Sequence, residues 1–375
     1  VRVVHLVTKL GIGGAERMAE TLATASVAEG FDVSVLAVGQ AEESDVLAAV
    51  MRKSLEAAGV HVVLASRSRS KKASAARAAP GTARYLRDWK PDVVHVHTEV
   101  PQAALALARL FPPRGRRPAT VLTVHSSVNW PKWGRVGRLA AWMLRDAVVV
   151  AVSESARRSY LENADGRRCG LVPNGVKVEE LGRRPAIVRR PPRYLYASRL
   201  EPEKGIDTLM DALDLLESSP ADFGLTIMGS GRLEADVTRR VETMSRDVRL
   251  HPPSPTLRSE LREYDALVMP SKYEGLALLA VEALCVGLPV LATSAAGLTD
   301  TLPPGYPGCV PPADPGALAQ LLEAFESDPS PWLGRSAPDR RWARRRYDSR
   351  TMVKGYAGVY EAAVGGAPAV APTRS

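Results

Sequence analysis

Short runs of β-branched and aliphatic residues alternate with longer stretches rich in Ala, Leu, Arg and Glu, and this alternation stops once and starts again. Parallel strands need a crossover of a dozen or more residues between them, usually a helix. The pattern therefore calls for parallel α/β units and argues against an all-helical or all-β chain. In the first half the strand patterns fall at residues 1–8, 32–38, 60–64, 92–97, 120–124 and 147–153. The Pro/Arg-rich stretch GRRPAIVRRPP, residues 182–192, interrupts them and reads as a linker. Alternation resumes at RYLYASRL, with further strands expected at 225–228, 248–250, 266–270, 289–292 and 308–310. A chain of 375 residues is too long for one comfortable core and fits two domains. The expected fold is α/β, with two doubly wound parallel-sheet domains over 1–182 and 193–345. In such a pair any ligand belongs in a cleft at the carboxyl ends of the strands.

Composition narrows the class. Apolar and charged fractions of 45% and 24% are those of a water-exposed globular protein. No apolar run reaches the roughly 18–20 residues that span a bilayer. The opening residues enter a strand pattern without a signal-peptide block, and Cys169, Cys285 and Cys309 form no metal or disulfide pattern, so a cytoplasmic location is expected. The formal charge of +9 lies mostly in the first half, in ASRSRSKKASAAR, PPRGRRP and WPKWGRVGR. Sparse aromatics and the lack of a reader motif disfavour nucleic acid. An anionic acceptor or an anionic membrane surface suits the charge better. Trp130, Trp133 and Trp142 beside Lys132, Arg135, Arg138 and Arg145 would serve peripheral association at the inner membrane face, although a helix here must also bury one side.

Three strand-to-helix turns carry residues that suit an anion. LGIGGAE places Gly11, Gly13 and Gly14 between a strand and a helix that begins near Glu16. SRLEPEKG sets Arg199 at a strand end and Lys204 just before Gly205 and a helix. MGSGRL offers Gly229, Ser230 and Gly231. Glycine lets backbone N–H groups approach a phosphate, and Arg and Lys supply forked and point-charge contacts. Each turn alone has a plain conformational explanation; together they suit a diphosphate. The stretch PSKYEGLALLAVEALCVGLPV, residues 270–290, then places Glu274 before an apolar helix and Glu282 inside it. A buried carboxylate without a partner is costly, so solvent or a binding partner must reach Glu282. A glycosidase-like carboxylate pair is one alternative, and two solvated glutamates are another.

In order along the chain, GIGGAE, DVVHVHT, TVHSS, AVSES, VPNGV, SRLEPEKG, MGSGRL and the Glu274/Glu282 stretch resemble a retaining glycosyltransferase of the GT-B, family-4 type with the E-x7-E motif. The resemblance spans residues 11–290 and implies two Rossmann-like domains, the first binding the acceptor and the second a nucleoside-diphosphate sugar. It implies that Glu282 holds the ribose and that Glu274 holds sugar hydroxyls, with Gly275, Leu276, Ala277 and Leu278 beside them. Gly13, Gly14, Arg199, Lys204, Gly229 and Ser230 complete the donor set. His125 becomes the active-site histidine, and His125, Glu274, Arg199 and Lys204 the catalytic group. Glu16, His97 and His125 fall on the acceptor side, whereas His95 is core. Ala277 stands where the family commonly has Gly or Pro, in the loop that contacts the sugar.

The implied reaction moves a hexose or N-acetylhexosamine, from a UDP-sugar by preference, to a hydroxyl of an envelope glycan, a glycolipid or a secondary metabolite. It would retain configuration by a front-face path, the leaving phosphate acting as base. No cofactor and no metal are expected, because Arg199 and Lys204 neutralise the diphosphate and no D-x-D motif is present. An epimerase or phosphorylase of the same fold, or a non-catalytic nucleotide-binding partner, are the alternatives. Helical patterns at 315–327 and 350–364 close the chain. The family implies that 346–365 crosses back to the first domain, and 366–375 reads as a flexible tail.

Overall fold

The computed structural model describes residues 1–11, 13–41, 45–68, 71–111, 115–126, 134–163, 167–185 and 188–366. Trp130, Lys132, Trp133 and the tail from residue 367 onward lie outside them, as does the Arg135 side chain. The chain divides into two compact units, residues 1–176 with 349–375, and residues 177–348.

Among the described residues the first unit holds a seven-stranded parallel sheet, ordered β3-β2-β1-β4-β5-β6-β7. The strands are β1 (Arg2–Val7), β2 (Asp32–Ala37), β3 (His61–Leu64), β4 (Val93–His97), β5 (Ala119–Val124), β6 (Val148–Ala151) and β7 (Gly170–Leu171). Alternation assigns the two faces. Val4, Leu6, Val94, Val96, Leu122 and Val124 pack against Leu105, Ala140 and Leu144. Val3, Val93 and Val121 meet the helices Gly14–Ala28 and Ser349–Gly365 through Met18, Leu22, Met352 and Tyr356. Local signals fix helix starts: the Asp45 and Ser153 side chains accept from the N–H groups of Ala48 and Ala156.

Among the described residues the second unit has a six-stranded parallel sheet, ordered β10-β9-β8-β11-β12-β13. Its strands are β8 (Arg193–Ala197), β9 (Gly224–Met228), β10 (Val248–His251), β11 (Ala266–Met269), β12 (Val290–Thr293) and β13 (Cys309–Val310). Tyr194, Tyr196, Leu225, Ile227, Ala266 and Val268 build one core with Leu209, Leu213, Leu318 and Phe325.

Three expectations change. β7 is an additional strand, two residues long. A helix, Ser330–Arg346, occupies a stretch that carries no clear periodic pattern and contains Pro338, while the final helix, Ser349–Gly365, falls where the pattern at 350–364 placed it. The stretch read as a linker belongs to the second unit. Arg184 is buried there and donates to Asp265 at 2.6 Å and to the Tyr264 carbonyl at 2.6 Å. Arg189 approaches the same carboxylate at 3.4 Å.

Candidate functional site

In the second unit, neighbouring strands β9, β8 and β11 place their carboxyl ends side by side, and most of the expected donor residues follow directly from them. After β8 the Tyr196 hydroxyl donates to the carbonyls of Arg199 and Lys204, holding the turn. Gly205 then takes φ +69°, and a Cβ there would lie 1.9 Å from the Pro270 carbonyl oxygen. Only glycine fits that turn, which presses the Lys204 segment against the end of β11.

The consequence is a close ion pair. Lys204 Nζ donates to both Glu274 oxygens at 2.8 and 2.7 Å, and Ser271 Oγ donates to Oε1 at 2.8 Å. Both charged side chains are mostly buried, with exposures of 17% and 10%. The sequence separates cation and sugar-binding carboxylate by role; the structure joins them. Arg199 is more exposed and pairs with Glu203 at 3.1 Å. After β9, the Ser230 carbonyl accepts from Leu200 N–H, so Gly229 and Ser230 lie against the β8 turn.

The loop from Glu274 to Ala277 is held from the far side by a turn the sequence did not single out. Gly297 has φ +79°, and a Cβ there would lie 2.2 Å from the Glu274 carbonyl oxygen. Glu274 N–H donates to the Ala296 carbonyl at 2.8 Å. Ala277 N–H donates to Thr301 Oγ1 at 3.2 Å, which fixes this part of the loop. Gly275, Leu276 and Leu278 complete this loop and the start of the helix Leu278–Val286. Glu282 sits inside that helix with its side chain 7% exposed, and accepts from Arg258 Nε at 2.6 Å. Arg258 is therefore the partner a carboxylate in an apolar helix requires.

In the first unit the turn after β1 brings Gly13 and Gly14 to the start of the helix Gly14–Ala28. The Glu16 carboxylate folds back over Gly13, where a Cβ would lie 2.0 Å from its Oε2. A side-chain anion thus already lies at the turn expected to welcome one. Thr98, at the end of β4, adopts φ +70° and its hydroxyl meets that of Thr8 at 2.9 Å. Such strained non-glycine residues cluster at functional sites.

Four histidines gather on and just beyond strands β1, β4 and β5 of this sheet. His5 on β1 is the register partner of His95 on β4. His5 Nδ1 meets His97 Nε2 at 3.0 Å, and His97 Nδ1 meets His125 Nε2 at 3.1 Å. His95 is bonded to Tyr360 Oη at 2.8 Å and to Thr123 Oγ1 at 2.6 Å, and Thr123 meets Tyr356 Oη at 2.9 Å. His5 was not foreseen, because a lone histidine in a strand gives no local signal. Ring nitrogens of His5, His95 and His97 lie within 4.8 Å of one another. Hydrogen bonds already engage both nitrogens of His95 and of His97 and one of His5. His97, placed on the acceptor side by sequence, is buried and links two other histidines. His125 is half-buried and lines a cavity of about 520 Å³ with Glu99, Gln102, Arg138 and Trp142.

Comparison with known proteins identifies the family. Residues 12–180 match the model of Glycosyltransferase Family 4, and residues 191–328 match that of Glycosyl transferases group 1. The chain is 30% identical over 295 residues to the glycogen synthase of Mycobacterium tuberculosis, covering 74% of this chain and 70% of that one. It is 27% identical over 287 residues to the 2-deoxystreptamine glucosyltransferase of Streptomyces kanamyceticus, covering 68% and 73%. Among solved structures, Anabaena HepE in complex with UDP-glucose superposes with a TM-score of 0.78 at 17% identity, over 96% of this chain and 99% of that one. The chain belongs to the GT-B glycosyltransferases of the family-4, group 1 type, and is a glycosyltransferase enzyme.

Proposed function

We propose that the protein transfers a hexose or N-acetylhexosamine from a nucleoside-diphosphate sugar, a UDP-sugar by preference, to a hydroxyl acceptor. The observation that carries this reading is the Lys204–Glu274 pair, set beside the glycine turn after β9 at the carboxyl ends of adjoining strands. Lys204 has three N–H donors and gives two to Glu274, so a ligand oxygen can take the third. Arg199 adds a second cation from the same turn. The UDP-glucose complex of HepE and the glucosyltransferase relative favour UDP-glucose as the first donor to test.

The reaction makes a bond from the acceptor oxygen to the anomeric carbon and breaks the bond from that carbon to the diphosphate. The acceptor proton passes to the departing phosphate oxygen. Lys204 and Arg199 stabilise the charge that develops there, which makes a metal unnecessary. Glu274 orients sugar hydroxyls and Glu282 the ribose. With the leaving phosphate as base on the same face, configuration is retained.

The acceptor belongs to the first unit, as a glycan, glycolipid or secondary-metabolite hydroxyl. On the helix Gly134–Met143, Leu139 and Trp142 are 57% and 61% exposed, and the Arg145 guanidinium lies 4.9 Å from the Trp142 ring centroid. That combination favours a membrane-borne acceptor reached from the cytoplasmic face. The test is release of UDP from UDP-glucose and UDP-N-acetylglucosamine, with and without EDTA. Release that EDTA leaves unchanged and Lys204→Ala abolishes is expected. Release that requires an added divalent cation would refute the metal-free mechanism, and release undiminished in Lys204→Ala would refute the role of that cation.

A further inference from the structure

We infer that His97 is a positioning residue that fixes the tautomer of His125, with His5 closing the buried end of the chain of rings, so that His125 presents Nδ1–H as a hydrogen-bond donor. The inference rests on the reading that His125 faces the reacting sugar or its acceptor, and supplies what that reading lacks: which way this histidine can transfer a proton.

Counting ring protons decides between the tautomers. Burial pushes the ring pKa of His5 and of His125 down to about 3. Burial, with the neighbouring rings of His95, His5 and His125, holds His97 well below the usual histidine range. The three rings are therefore neutral at pH 7 and carry one N–H each. Two contacts, His5 Nδ1 to His97 Nε2 and His97 Nδ1 to His125 Nε2, need one proton apiece. The third proton must sit at one end of the chain of rings.

Only two arrangements satisfy both bonds. In one, His125 Nε2–H donates to His97, His97 donates to His5, and the spare proton lies on His5 Nε2. In the other, His5 donates to His97, His97 donates to His125, and the spare proton lies on His125 Nδ1. His5 is fully buried, and its Nε2 has no hydrogen-bond partner. The first arrangement strands an N–H donor in the core. The second leaves there only a bare lone pair. Orphaned buried N–H groups are rarer than under-satisfied acceptors, which selects the second.

The selection constrains the chemistry. With Nδ1 protonated and Nε2 occupied by His97, His125 has no nitrogen open to take a proton from an incoming hydroxyl. It donates a hydrogen bond to an oxygen of sugar or acceptor, and the acceptor proton must go elsewhere.

The test is the tautomer itself, read by long-range ¹H–¹⁵N correlation in the 375-residue chain labelled at histidine. The expected spectrum of the wild type shows His125 protonated at Nδ1. In His97→Phe the constraint is lost and the proton moves to Nε2, the site imidazole side chains prefer in water; the thermal midpoint shows that the variant is folded. In His5→Leu the His97 Nε2 becomes the buried nitrogen without a partner, and the same preference for a bare lone pair over a stranded N–H keeps His125 protonated at Nδ1. His125 protonated at Nε2 in the wild type would overturn the inference, a result that does not depend on any variant folding. Nδ1–H persisting in folded His97→Phe would overturn it too. Added UDP separates the two claims: loss of nucleotide binding would count against the proposed function and leave the tautomer assignment standing.

Discussion

A carboxylate inside an apolar helix needs a counter-charge, and Glu282 finds Arg258 from the short helix Leu257–Glu260. The pair is separated by 24 residues, so spacing rules for one helix could not reveal it. Removing Arg258 alone would leave Glu282 charged and largely buried. We expect Arg258→Ala to lower the stability of the protein by about 1–3 kcal/mol. Glu282→Gln in the same background should recover part of that loss, since the unpaired charge goes with it. Denaturant unfolding of the two single variants and the double variant checks this, and strictly additive losses would contradict the pairing. The same limit explains what was legible at this scale. Lys204, Glu274 and Glu282 stand out by residue type and turn context, but their partners do not. Lys204 and Glu274 are 70 residues apart, and only the adjacency of β8 and β11 brings them together. His5 becomes visible only once β1 lies beside β4.

Among the elements, the strands were the most legible, because their apolar runs serve cores on both faces and flanking turns mark their ends. β7 escaped because two residues carry no period. Ser330–Arg346 escaped because Pro338 and a run of arginines hide a helix that buries Trp332 and Ala343. The helix Ser349–Gly365 shows how one element can be both apolar and specific. Met352, Val353, Tyr356, Val359 and Tyr360 are buried, and two tyrosine hydroxyls reach His95 and Thr123. Tyr360→Phe keeps the ring but leaves His95 Nδ1 without its partner. We expect a loss of about 1–3 kcal/mol, seen as a lower thermal midpoint. An unchanged midpoint would show that the hydroxyl contributes nothing to docking the helix.

For the molecule as a whole, the buried histidines predict an acid limit on stability. Burial depresses the pKa of His5, and with neighbouring rings that of His95 and His97, below the ordinary value of about 6.5. Below that value the unfolded chain binds protons on these rings and the folded chain does not. Stability is therefore complete above about pH 6.5 and falls as pH drops toward 3, the pKa of His5. The slope is at most about 1.4 kcal/mol per pH unit for each ring. Thermal midpoints measured from pH 7.5 to pH 5 should decline, and decline less in His5→Leu. A flat profile would mean that the rings are protonated in the folded protein.

On the proposed function, the second unit binds a nucleoside diphosphate through Lys204. Isothermal titration of the wild type and of Lys204→Ala with UDP, GDP, ADP and TDP, in excess EDTA, decides whether it does. One diphosphate, UDP by preference, should bind the wild type, and its affinity should fall by about tenfold or more in the variant, the worth of a charge-assisted hydrogen bond. Failure of all four to bind at millimolar concentration, or equal affinity in wild type and variant, would contradict it.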